Sequence, residues 1–120
     1  MCAVRENGET EAWEFLESAE CRRFRAALLA RFQAIVDLNP DDDEVRPKPL
    51  RGGISEFKRG PVRLFCFRDG THWVLTHGIL KKSNKTPPGS IERAERIRME
   101  DLEIAARRTA QRGVHGAHDG

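Results

Sequence analysis

The sequence predicts an α+β domain in which N-terminal helices pack on one face of a small antiparallel sheet and a C-terminal helix follows. Apolar residues recur at helical spacing in the first third of the chain, and three short runs rich in β-branched and aromatic residues occupy 54–80. A charged helical pattern begins at Pro87 and ends near Arg108. A chain of 120 residues suits one domain. We predict this domain over 1–112, with a flexible tail over 113–120.

Two helices are predicted before the sheet. Thr10 is a suitable N-cap for a short acidic helix over about Glu11–Glu17, which we expect to bury Trp13 and Leu16. A second helix is predicted from about Ala19 to Leu38. Its apolar stripe, predicted to pack on the sheet, comprises Phe24, Leu28, Phe32 and Ile35, widened by Leu29 and Val36.

Three strands are predicted, over Ile54–Lys58, Val62–Arg68 and His72–Leu80. The step Asp69-Gly70 between the second and third strands predicts a tight hairpin turn, since both positions tolerate positive φ angles. The three strands are therefore expected to form an antiparallel meander. The third run is almost entirely apolar, which predicts a central strand that is covered on both faces.

One arginine lies inside an otherwise apolar strand. Alternation along the second strand places Arg63, Phe65 and Phe67 on one face. A charged side chain is costly to bury alone, so Arg63 is expected either to pair with Glu56 across the hairpin or to face a ligand. The residues by themselves leave both interpretations open.

Positive charge is concentrated in one part of the chain. Residues 46–86 contain ten Lys or Arg and two acidic residues, whereas 1–45 contain five basic and eleven acidic residues. Residues 87–120 carry six of each sign. Such segregation indicates an anionic partner, most simply a nucleic-acid backbone. The alternative is a solvated, lysine-rich sheet edge that discourages aggregation.

Composition disfavours several classes of protein. No stretch is long and apolar enough to span a membrane, and the N-terminus lacks the apolar core of a signal peptide. Three widely spaced cysteines indicate free thiols in a reducing cytoplasm. Cys66, His72 and His77 have no recognised zinc spacing, and strand alternation is expected to separate the two histidines. We therefore expect neither a metal site nor a cofactor.

Several short motifs occur together between residues 55 and 94. In chain order they are Ser55-Glu56-Phe57-Lys58, Arg63-Leu64-Phe65-Cys66-Phe67, His77-Gly78-Ile79-Leu80-Lys81-Lys82-Ser83, Lys85-Thr86-Pro87 and Ile91-Glu92-Arg93-Ala94. Their combination resembles the RelE/HigB toxin superfamily, and in particular its phage-derived HigB-like branch. The resemblance implies the RelE/ParE fold, in which Met1–Arg5 would begin the sheet as a short edge strand.

The resemblance also implies an activity, the toxin of a type II toxin–antitoxin pair. Such toxins cut mRNA in the ribosomal A site without a metal, and a small helix-turn-helix antitoxin is their partner. The 2′-hydroxyl attacks the adjacent phosphate and leaves a 2′,3′-cyclic phosphate, which requires cations near the phosphate and a proton acceptor. The residues that the resemblance assigns to catalysis are Arg63, Lys58, Lys81 and Lys82, with one of the lysines as base. The residues assigned to RNA binding are Lys85, Arg59 and Arg68, and His77 is a minor catalytic candidate.

Two features depart from the family. RelE has a lysine where this chain has Glu56, and the tyrosine that some relatives use near the C-terminus has no counterpart in a chain without tyrosine. Two other functions therefore stay open: a ParE-like toxin that inhibits DNA gyrase, and a non-catalytic nucleic-acid-binding module. The combination of Lys58, Arg63 and the lysines after the third strand favours the nuclease, because a gyrase binder needs no set of phosphate-stabilising cations.

Overall fold

The computed structural model describes residues 2–5, 8–37, 46–70, 72–81 and 88–119, with the backbone alone at 88 and 111–119. The helices and strands of the described residues are, in chain order, α1 (Glu11–Glu17), α2 (Arg25–Asp37), β1 (Lys48–Pro49), β2 (Ile54–Arg59), β3 (Val62–Asp69), β4 (His72–Leu80) and α3 (Pro88–Asp119). The predicted α+β class is confirmed. No helix in this part of the chain has the length and apolarity needed to cross a membrane.

The sheet is antiparallel throughout, with the strands side by side in the order β1-β2-β3-β4. The predicted meander of three strands is confirmed, and its turns use Gly60 and Gly70, whose φ angles are +55° and +62°. The two-residue strand β1 was not predicted; its proline is compatible with an edge position, where no ladder donor is needed. The predicted N-terminal strand is reduced to a single parallel bridge between Cys2 and Leu75. The prediction that the third run forms a central strand was wrong, because β4 is the last strand in the order of the sheet.

The helices α1 and α2 cover one face of the sheet. Leu16 and Leu28 are buried there against Phe57 and Leu64, and the ring of Phe15 lies so close to β4 that a Cβ on Gly78 would collide with it. Within the predicted stripe, Leu28 and Ile35 are buried, while Phe24 and Phe32 pack against this core as partly buried residues.

Three side chains that were predicted to be buried are exposed, and those predictions were wrong. Trp13 is 51% exposed, Leu29 45% and Val36 77%. Each follows a buried residue by one position, namely Ala12, Leu28 and Ile35. One position turns a helical side chain by about 100°, which carries it away from the sheet.

The helix α3 covers one end of the opposite face. Ile91, Ala94 and Ile97 pack there against Ile54, Phe67 and Val74. The end of this face that carries Lys58 and Arg63 lies beyond these α3 contacts. The helix continues to Asp119, beyond its predicted end near Arg108, and flexibility of 113–120 stays a prediction.

Ion pairs fasten the N-terminal segment to α1 and α3. The Arg5 guanidinium lies 2.7 Å from carboxylate oxygens of both Glu11 and Glu100. Arg93 makes a further ion pair with Glu11, and the Val4 amide donates a 2.9 Å hydrogen bond to Asp101. These contacts tie helices from the two sides of the sheet together and fix α3 in place.

Candidate active site

The register of the strands gathers charged side chains at the end of the sheet that α3 leaves uncovered. Lys58 lies opposite Arg63 in the β2–β3 ladder, and Lys48 lies opposite Glu56 in the β1–β2 ladder. Alternation places them on the same face as Phe65, which packs towards α3. Together with Lys81 they form the basic cluster, whose members are Lys48, Glu56, Lys58, Arg63 and Lys81.

A β-bulge in β4 brings Lys81 to this face. Cys66 lies opposite Leu75 but Phe65 lies opposite His77, so Thr76 is an extra residue without a partner position. Simple alternation from Leu75 would have sent Lys81 to the α1/α2 face. Because of the bulge, Lys81 instead lies on the face that carries Arg63. The hydroxyl of Thr76 is fully buried and donates to the carbonyl oxygen of Phe65 at 3.1 Å, which supplies a hydrogen bond where the ladder is interrupted.

Arg63 is held rigidly in the basic cluster. It is 7% exposed, and its Nη1 donates hydrogen bonds to the carbonyl oxygens of Gly60 at 2.6 Å and Val62 at 2.9 Å. Its Nε has no hydrogen-bond partner among the described residues. Glu56 lies opposite Phe65, which makes it a diagonal neighbour of Arg63 on the same face of the sheet. A guanidinium beside other cations, with N–H donors left over after its two backbone hydrogen bonds, is suited to an oxyanion.

Lys81 follows the last residue of β4 and is fixed by its backbone, since its amide donates to the Pro61 carbonyl at 2.7 Å. The residue is only 8% exposed. The pKa of Lys81 is lowered, first by desolvation and then by repulsion from Arg63, with Lys58 and Lys48 acting in the same sense and Glu56 in the opposite one. Lys81 therefore loses its proton more easily than an isolated lysine does.

The structure does not bring all predicted site residues to the basic cluster. Arg59 is exposed at the end of β2. Arg68 is exposed at the far end of β3, where its guanidinium carbon lies 5.7 Å from the centroid of the Trp73 ring. Arg68 and Arg63 differ by an odd number of positions and so lie on opposite faces. Lys82 and Lys85 are outside the described residues, and their roles stay predictions.

His77 is a buried, neutral imidazole. It is 2% exposed and stacks on Phe65 with ring centroids 4.8 Å apart. Its Nδ1 lies 3.3 Å from the Thr76 hydroxyl, while Nε2 has no partner within the described part of the chain. Desolvation, followed by repulsion from Arg93, lowers the pKa of His77 to about 4. An imidazole that is neutral at pH 7 lacks the proton that a general acid donates, and the minor catalytic role considered for His77 stays a prediction.

The lowered pKa of His77 predicts a pH-dependent stability. In the unfolded chain the imidazole titrates near its ordinary value of about 6.5, whereas in the folded protein it titrates at about 4. The unfolded state therefore binds more protons as pH falls through this window, and we expect the free energy of unfolding to fall by up to about 3 kcal/mol between pH 7.5 and pH 4.

Denaturant titration across this range measures the effect. His77→Gln is expected to remove most of the His77 contribution, whereas His72→Gln, at the exposed start of the same strand, is the matched control. If the stability of His77→Gln depends on pH as strongly as that of wild type, His77 is not the cause of the pH dependence.

Sequence reasoning missed one feature beside the basic cluster, a groove of about 390 Å³ at the β1 edge of the sheet. Arg31 of α2 reaches across this edge, and its guanidinium donates to the carbonyl oxygens of Arg46 at 2.9 Å and Lys58 at 3.4 Å. Desolvation is the largest cause of a lowered pKa at Arg31. We call this feature the β1 groove, and its lining consists of Arg31, Arg46, Pro47, Lys48, Pro49, Glu56 and Lys58. The charge of residues 46–58 indicated part of it, but no local signal places a helical arginine at a strand edge.

The residues weighed for zinc do not converge. Cys66 packs in the core beneath α1 and α2, whereas His77 lies on the α3 face. Burial raises the pKa of the Cys66 thiol far above its usual range, which disfavours the thiolate that a metal requires. The bulge puts His72 and His77 on the same face. The prediction that strand alternation separates the two histidines was therefore wrong. Within the described residues, no group of three or more His, Cys, Asp or Glu is placed to hold a metal ion.

Comparison with known families gives one match. Residues 9–99, about three quarters of the chain, match the family described as Phage derived protein Gp49-like (DUF891). The match spans α1 to about the first third of α3 and includes every residue of the basic cluster. No curated protein matches the chain.

Proposed function

The chain belongs to the phage-derived Gp49-like family, within the RelE/HigB-like toxin superfamily, and from this premise we propose that it is the toxin of a type II toxin–antitoxin pair. The activity we propose is metal-independent endonucleolytic cleavage of mRNA in the ribosomal A site, which stops translation in the cytoplasm. Within the superfamily we assign the chain to the HigB-like branch, as its motifs suggest.

The observation that carries this proposal is the convergence of Lys58, Arg63 and Lys81 on one end of one sheet face. Cleavage by the neighbouring 2′-hydroxyl needs a base for the hydroxyl proton, a cation at the phosphate and an acid at the leaving oxygen. Lys81, whose pKa is lowered, supplies the base. Arg63, which is held rigidly, supplies the cation at the phosphate.

The proposed reaction follows from these roles. The neutral amine of Lys81 accepts the 2′-hydroxyl proton while the 2′-oxygen bonds to phosphorus. Arg63 donates to the phosphate oxygens as their charge increases, and Lys58 protonates the departing 5′-oxygen as the phosphorus–oxygen bond breaks. The products are a 2′,3′-cyclic phosphate and a 5′-hydroxyl.

Cleavage is expected to survive removal of transition metals and to need no magnesium beyond that which keeps the ribosomes intact. The proposed roles are all filled by side chains, so no Lewis acid is required. The measurement is cleavage of mRNA by the purified protein on programmed ribosomes, at the lowest magnesium that keeps the ribosomes intact, with and without a chelator selective for transition metals. Activity that returns only when zinc or manganese is added would overturn the mechanism. Protein that is inert on ribosomes but inhibits DNA gyrase would instead favour the ParE-like alternative.

A co-encoded antitoxin is expected to cover the basic cluster. Residues 46–86 carry ten basic and two acidic residues, and complementary charge accelerates association and neutralises a phosphate site. We expect co-expression of the small helix-turn-helix protein encoded beside the toxin to restore growth and to co-purify with it. Reversing charge on the cluster, as in Lys58→Glu, should weaken that complex more than Arg108→Glu on α3. Growth that is not restored would contradict the pairing.

A further inference from the structure

The β1 groove adjoins the proposed catalytic residues and shares Lys48, Glu56 and Lys58 with the basic cluster. β1 is the edge strand, and β2 separates it from the β3 strand that carries Arg63. Neighbouring strands lie about 4.8 Å apart, so the groove begins roughly two strand spacings from Arg63. A chain that crosses the strands at Arg63 would pass directly into it.

The walls of the groove are fixed before any ligand binds. Pro47 is fully buried, and Pro47 and Pro49 each restrict the backbone of the edge to one φ value. The Arg31 guanidinium joins the edge to β2 through two backbone carbonyls and lies 5.1 Å from the centroid of the Phe57 ring. These are contacts to backbone and to an apolar ring, so they do not depend on the side chains of Arg46 and Lys48.

The charge of the groove favours an anion. Its ionic lining residues are four cations and one carboxylate, and Arg46, Lys48 and Lys58 are exposed while Glu56 is 3% exposed. The accessible groups are therefore almost entirely positive. A volume of about 390 Å³ lies at the lower end of the range of small-ligand pockets and is suited to one nucleotide unit.

We propose that the β1 groove is a second RNA subsite, which binds a phosphodiester and the unpaired base of a nucleotide near the cleaved bond. This inference rests on the proposed function and deepens it. Arg46 and Lys48 contact the phosphate, and exposed Pro49 provides a flat apolar surface for the base. The subsite sets the register of the message across the strands, so that the scissile phosphate reaches Arg63.

Binding of an uncleavable RNA to the free protein tests the subsite. The probe is a short fluorescent oligouridylate with every 2′-hydroxyl methylated, measured by anisotropy at several salt concentrations. The double variant Arg46→Ala/Lys48→Ala is expected to bind about 10-fold or more weakly, with a log–log salt slope shallower by about 0.7 for one lost phosphate contact. Arg22→Ala/Arg23→Ala removes the same charge from an exposed turn and is expected to bind within about threefold of wild type.

Three outcomes decide the matter. Equal losses in the groove variant and the control variant would show nonspecific attraction and overturn the subsite. Equally tight binding of a double-stranded DNA of the same length, lost in the same groove variant, would overturn the assignment to single-stranded RNA. Loss of RNA binding in the groove variant alone supports the subsite even if the wild-type protein never cuts mRNA, in which case only the proposed function fails. Lys48→Gln provides a single change if the double variant melts at a lower temperature.

Discussion

Arg63→Ala is expected to slow single-turnover cleavage of ribosome-bound mRNA by about 10²-fold or more, because one preorganised donor at the developing charge is removed. Binding to the ribosome should weaken much less, since the other cations still contact the RNA backbone. Arg63 is preorganised because it is 7% exposed and donates hydrogen bonds to two backbone carbonyls. The measurements are the cleavage rate at saturating toxin and ribosome binding at several salt concentrations.

Two matched variants sharpen the interpretation of Arg63→Ala. Arg63→Lys keeps the charge but loses the planar fork, so an intermediate rate is expected. Arg68→Ala removes an exposed arginine from the far end of β3 and the opposite face, so the rate should change by less than about threefold. Melting temperatures identify any loss of fold, because Arg63 also fastens the Gly60 turn. A normal rate with weaker binding in Arg63→Ala would make Arg63 an anchor, and the lysines would then carry the chemistry.

Lys81→Arg is expected to reduce the cleavage rate by about 10²- to 10⁴-fold although it preserves positive charge. The neutral amine is the form that accepts a proton, and an arginine stays protonated throughout the accessible pH range. In wild type the rate should rise with pH and level off near the pKa of Lys81, which lies below its ordinary value of 10.5 because of desolvation and the neighbouring cations. Lys81→Arg should lose this rise.

The control for Lys81 is Lys48→Arg, which makes the same exchange at an exposed member of the basic cluster and is expected to keep the rise with pH. Single-turnover rates from pH 6 to pH 9.5 measure both variants. If Lys81→Arg retains both the rate and the pH dependence, the base lies elsewhere. Lys82, the neighbouring predicted catalytic lysine, would be the next residue to test.

The sequence correctly predicted those features that depend on a repeating residue pattern within one short segment of the chain. The three strands of the meander were located to within one residue, because β-branched and aromatic runs were separated by glycine turns. Alternation correctly put Arg63 on the same face as Phe65. The same reasoning failed at Trp13 and Val36, because a helix with apolar residues on two sides does not indicate which side another element will cover.

For the candidate site, the sequence by itself determined the residue types and their concentration in one segment, since charge and strand alternation are properties of the local chain. It could not determine that Lys81 shares a face with Arg63, because that depends on the bulge at Thr76, which appears only when β4 pairs with β3. The positions of Arg31 at the β1 edge and of α3 over one end of the opposite face likewise depend on contacts between residues distant in sequence. Such contacts are selected by the packing of the whole domain, so tertiary structure decided which of the predicted cations meet.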